Sequence, residues 1–159
     1  VTIQLTLEQI QAIQTHAEAI YPEECCGLLL GHREPQRNAK QVIEVWPTEN
    51  SWSPTLAIDD PSDPITSRAT KAQRYWIAPA VMLQAQQQGR DRHLEVIGIY
   101  HSHPDHPAIP SAWDHYYAWP LYSYIIVAVD QGRTQDLRSW CLDDDHRFQP
   151  EAIARQPQA

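Results

Sequence analysis

The chain has 159 residues, 42% hydrophobic and 20% charged, the composition of an ordinary globular protein at a length that suits one domain. With 12 Lys and Arg against 20 Asp and Glu, its net charge of −8 disfavours nucleic acid and anionic membrane surfaces as partners. No apolar run is long enough to span a bilayer and no signal-peptide pattern is visible, while Cys25, Cys26 and Cys141 make a poor disulfide framework, so a cytoplasmic location is expected.

The first predicted element is a helix over Thr6–Ile20. Thr6 and Gln9 stand at capping-box spacing, and Leu7, Ile10, Ile13, Ala17 and Ile20 form an apolar stripe. Tyr21-Pro22 ends it, because a residue before proline is driven out of the α region. Cys25–Gly31 and Gln41–Trp46 read as two strands joined by a polar turn. From Pro47 to Thr70 the chain turns polar and Pro-rich, an insertion whose length suggests a lid or binding loop. Within it, Trp52 is either an exposed aromatic that touches a substrate or a pin holding the loop to the body.

Beyond the insertion, Pro79 at a first turn and Gly89 just past the end frame a helix over Pro79–Gln88. Leu94–Tyr100 reads as a strand, Ser111–Ala118 as a helix and Tyr122–Val129 as a strand. Arg138–Leu142 follows as an edge strand before the polar turn Asp143–Asp145. This order predicts a mixed α/β layer architecture rather than a regular βαβ series.

The chemistry gathers at His101-Ser102-His103-Pro104. Residues two apart at a strand end point the same way, so the two imidazoles make a ready pair of zinc ligands. Ser111 and Asp114 have the spacing of a capping box at a helix start. The same turn can carry Asp114 back to the histidines as a third ligand, and the two roles are compatible. Two His and one Asp leave a fourth tetrahedral position for water, as in catalytic zinc sites. A proton acceptor must come from elsewhere, and Glu23 and Glu24 stand just before the strand that contains Gly27.

His101-Ser102-His103-Pro104, six residues, Ser111, two residues and Asp114, with Glu24 three before Gly27, resembles the JAMM or MPN+ metallopeptidases. The likeness runs from the first helix to about Val129. It implies a mixed sheet flanked by helices, layered as in cytidine deaminases, in a single domain over residues 1–159. It implies one Zn2+ per chain on His101, His103 and Asp114, with Glu24 as an ionised proton shuttle and Ser111 as a donor to the oxyanion. Small stand-alone bacterial members point to a ubiquitin-like or sulfur-carrier protein as substrate, cut after a flexible Gly-Gly tail. Such a tail suits addition as a β-strand beside the sheet. The insertion would then grip the substrate.

A non-catalytic MPN-type scaffold is the alternative, disfavoured because all five motif residues are present. A zinc deaminase is set aside, because the three cysteines cannot supply its Pro-Cys-x-x-Cys pattern. Ala78 departs from a family that often carries an acid there. Cys26 reads as core packing, and Cys25 lacks the paired His a nucleophile needs. His106 and His115 read as exposed neighbours of the site, and Trp113 and Trp119 as packing on the sheet. The oligomeric state stays open.

Overall fold

The structure is a computed structural model and describes residues 1–56 and 69–157. In chain order the elements are β1 (Thr2–Leu5), α1 (Leu7–Ile20), β2 (Cys26–Glu34), a short 3-10 turn (Pro35–Arg37), β3 (Ala39–Thr48), α2 (Pro79–Asp91), β4 (Glu95–Pro104), α3 (Ala112–Tyr116), β5 (Ser123–Asp130), β6 (Arg133–Leu142) and β7 (Phe148–Arg155). The strands lie in the order β1-β3-β2-β4-β5-β6-β7 and close into a barrel, because β1 pairs in parallel with both β3 and β7. The pair β4–β5 is also parallel and the rest are antiparallel. The sheet is therefore mixed, as expected.

The central strands are apolar on both faces because both faces are covered. From β5, Ile125, Val127 and Val129 enter a core cluster that draws residues from all seven strands and takes Ile13 and Ala17 from α1. Leu28 and Leu30 of β2 and Tyr124 of β5 face the opposite way, onto a second cluster with Ala85 of α2. Helix α1 begins as its sequence demands. Thr6 Oγ1 accepts from Gln9 N–H at 3.1 Å and Gln9 Oε1 accepts from Thr6 N–H at 2.9 Å. The two ends of its apolar stripe, Leu7 and Ile20, are exposed.

Several expectations need correction. β1 and β7 are strands the periodicity does not reveal: β1 has only four residues, and β7 is interrupted by Pro150 and fully buries only Glu151. Consequently β6 is no edge strand, since it pairs with β5 on one side and with β7 through Ser139–Leu142 on the other. Among the described residues no strand is an edge along its whole length. Gly89 lies inside α2 rather than past it. A Cβ there would come within 2.9 Å of the Leu94 carbonyl, where the chain folds back on the helix end. Helix α3 stops at Tyr116, short of the expected Ala118.

Candidate metal and catalytic site

β4 overruns its partner β2. Their pairing ends at Cys26 opposite His101, whereas pairing with β5 continues to Pro104 opposite Val129. The last residues of β4 thus project toward the loops while one flank stays anchored. His101 and His103 share a face, and Ser102 points to the other, where its Oγ accepts from Cys25 N–H at 2.8 Å. Helix α3 brings the third group. Ser111 Oγ accepts from Asp114 N–H at 3.2 Å, and Asp114 Oδ2 accepts from Ser111 N–H at 2.9 Å. That capping box aims the Asp114 carboxylate inward.

His101 Nε2 lies 3.1 Å from Asp114 Oδ1, His103 Nε2 lies 3.0 Å from Asp114 Oδ2, and the two Nε2 atoms are 3.0 Å apart. All three residues are buried. Three donors at the corners of so small a triangle fit one metal ion. Bond lengths near 2.0–2.1 Å in a tetrahedral site put ligand atoms about 3.3 Å apart, a few tenths of an ångström wider than here. His103 Nδ1 lies 2.8 Å from the Pro107 carbonyl, a partner that puts the proton on Nδ1 and turns the Nε2 lone pair toward the cluster. His101 Nδ1 has no such partner among the described residues. Its ring is instead held by stacking on Tyr75, with centroids 4.4 Å apart.

The charges are arranged accordingly. Burial alone would push the Asp114 carboxyl up, but the two imidazoles outweigh it and hold the group far below the usual range. Burial pushes the His101 imidazole down. Burial also opposes charge on His103, yet its hydrogen bond to Asp114 leaves it raised.

Glu24, Ser111 and His103 line one cavity of about 250 Å3, together with Gln73, Arg74, His106, Pro107 and Ile109. The Glu24 carboxyl is pushed well above its usual range, first by burial and then by Asp114, with Arg74 pulling the other way. Taken alone, these residues do not favour the ionised Glu24 expected above. The physical reason is that burial removes the solvent that stabilises the charge.

Trp52 is only 5% exposed, so it pins its segment to the body and is not presented at the surface. The rest of the insertion, residues 57–68, falls outside the described residues. Burial pushes the Cys25 and Cys26 thiols up to about 12, which leaves neither as a nucleophile. His106 and His115 are exposed, the first at the cavity, the second turned to the His146 carbonyl at 2.6 Å. Trp113 packs under α3, but Trp119 is 66% exposed, since the helix that would carry it inward has already ended. Tyr75 and Arg74 belong to the site without any local spacing to announce them. The tract Tyr75-Trp76-Ile77, apolar just before α2, is the one sequence hint.

A closed mixed sheet with a buried two-His, one-Asp cluster at a strand end defines a class of fold and site. The family model described as prokaryotic homologs of the JAB domain matches residues 6–143, and the chain belongs to that family. A protein named desampylase, from Haloferax volcanii, is 30% identical over 126 residues, 77% of this chain and 73% of that protein. A solution structure from Salinibacter ruber has TM-score 0.68 and 31% identity, covering 98% of this chain and 92% of its own. Another from Desulfitobacterium hafniense has TM-score 0.73 and 26% identity, covering 98% and 94%. A JAB1/MPN domain protein from Archaeoglobus fulgidus, at 14% identity and TM-score 0.51 over 99% of this chain and 97% of its own, shares the fold.

Proposed function

We propose that this chain is a zinc-dependent metallopeptidase or isopeptidase that cuts after the C-terminal Gly-Gly tail of a ubiquitin-like or sulfur-carrier protein. The reading takes residues 1–159 as one domain with a substrate-gripping insertion over about 47–70. The observation that carries it is the meeting of three ligand atoms, His101 Nε2, His103 Nε2 and the Asp114 carboxylate, beside a cavity bearing Glu24 and Ser111. Membership in the JAB family and the similarity to a desampylase support the choice of substrate class.

Zinc on those three residues would polarise a carbonyl and lower the pKa of a water toward about 7. Glu24 takes a proton from the attacking water and hands it to the departing amine. Its burial suits the first half of that task, because a carboxyl with a raised pKa accepts a proton more readily. Arg74 favours the ionised form that must begin the cycle, and a dication held by His101, His103 and Asp114 would favour it further. Ser111 already accepts a hydrogen bond from Asp114 N–H, so its hydroxyl hydrogen remains to donate to the oxyanion. One such donor is worth about 3 kcal/mol of barrier. With no full sheet edge on offer among the described residues, the tail is expected to approach through the cavity between Arg74 and Ile109.

Metal content measured by elemental analysis tests the reading. Wild type should carry about one zinc per chain by the stoichiometry of a single tetrahedral site, and His103→Ala almost none. Zinc-loaded wild type should cleave a Gly-Gly-linked ubiquitin-like substrate and zinc-loaded Glu24→Gln should not. A wild type that takes up no zinc returns the protein to the scaffold alternative. Shortening the insertion should lower cleavage efficiency, and unchanged efficiency would remove its substrate-gripping role.

A further inference from the structure

Asn50 lies two residues past β3, at the near end of the Pro-rich segment, and is 8% exposed. Its Nδ2 donates to the carbonyls of Glu24 at 3.0 Å and Arg74 at 2.9 Å. Its Oδ1 accepts from the N–H groups of Trp52 at 3.0 Å and Trp76 at 3.2 Å. These four bonds use both donors and both lone pairs of the amide. Its orientation is fixed by chemistry, because carbonyls only accept and backbone N–H groups only donate. The other side of the Glu24 peptide is held as well, its N–H donating to the Lys71 carbonyl at 2.7 Å.

Glu24 precedes the first residue of β2 and so lies outside the strand's own ladder. Among the described residues no hydrogen bond holds its carboxylate, and Oε1 is buried without a partner. The aim of that side chain therefore depends on how its backbone is clamped. We propose that Asn50 is a positioning residue that, with the Lys71 carbonyl, holds the Glu24 backbone so that its carboxylate faces the cavity. This rests on the peptidase reading above. The two flanks of the insertion, residues 50–52 and 71–76, thereby converge on the proton-transfer group and act as its mount.

The test uses the zinc-loaded full chain and a ubiquitin-like protein whose Gly-Gly tail is joined to aminomethylcoumarin. Asn50→Asp keeps the shape and the two acceptor contacts but loses both donors to Glu24 and Arg74. A misplacement of order 1 Å at a reacting group costs about 10²-fold. The expected result is thus a fall of about that size in kcat, with KM and zinc per chain nearly unchanged. Ile13→Val, in the barrel core away from the site, serves as a destabilised control that lowers Tm and leaves kcat alone. Asn50→Ala, read at low temperature against the folded fraction, covers the case in which the aspartate variant is too unstable. An active wild type with unchanged kcat in the Asn50 variants overturns the assignment alone. So does a drop carried by KM or by zinc loss. An inactive zinc-loaded wild type overturns the peptidase reading and this assignment with it.

Discussion

At Glu24 stability and the proton transfer proposed for it pull in opposite directions. The folded carboxyl sits well above the usual range for a glutamate, chiefly because it is buried. A carboxyl raised in the folded state contributes stability below the unfolded value, and loses it as pH rises toward the folded one. Glu24→Gln carries no such loss. In the metal-free protein its Tm should exceed that of wild type, by a margin that opens as pH climbs above about 4.5. Thermal melts of both proteins across pH check this, and equal melting at neutral pH would refute it. Cys25 provides a second residue-scale expectation. With its thiol pushed up to about 12, almost no thiolate exists near neutrality. Iodoacetamide should leave Cys25 unmodified in the native protein and label it after denaturation, as mass spectrometry would show.

Among the elements, β2 packs closest. A Cβ on Gly27 would fall 2.2–2.5 Å from the ring edge and hydroxyl of Tyr100, a wholly buried side chain whose hydroxyl His16 Nδ1 also meets at 2.8 Å. Tyr100 has no room to retreat, so Gly27→Ala should cost about 1–3 kcal/mol or more by overpacking, read from denaturant melts. Thr6→Ala removes one half of a capping box and should cost about 1 kcal/mol. These local devices are also what the sequence exposes best. The α1 cap, the apolar run of β5 and the His101–Asp114 spacing each lie in one short stretch of chain, where composition, spacing and capping chemistry can be read. Asn50, Tyr75 and Arg74 join the site from elsewhere in the chain, and no spacing links them to Glu24 or His101. β1 and β7 escaped notice for a related reason. Each is a strand because of a partner about 150 residues away in a parallel register, Thr2 with Ala152, rather than because of its own pattern.

Over the whole molecule, charge and closure matter most. A net charge of −8 should speed encounter with a substrate that presents a basic face. For such a substrate kcat/KM should fall several-fold as ionic strength rises past the point where the Debye length drops below about 8 Å, with kcat little affected. Insensitivity to salt would mean that the docking face is not governed by net charge. Inside the closed sheet one ion pair is shielded from these effects. Lys40 Nζ stands 3.8 Å from Glu151 Oε2 and 2.7 Å from Ser123 Oγ, while Ser139 Oγ donates to Glu151 Oε1 at 2.7 Å. Removing the Lys40 ammonium strands a buried carboxylate, and Lys40→Ala should cost about 3–5 kcal/mol.

Barrel closure also sets a timetable. Thr2 to Leu5 must wait for Ala152 to Arg155 before the seam between β1 and β7 can form. A ribosome adding about 5–20 residues each second needs on the order of 8–30 s to make the intervening chain. Throughout that interval β1 has at most β3 beside it, and the last sheet neighbour arrives only as synthesis nears the end of β7. The barrel therefore cannot close until β7 has been made, and a nascent chain stalled before β7 would present an open seam to whatever strand-seeking chaperone or neighbour it met first.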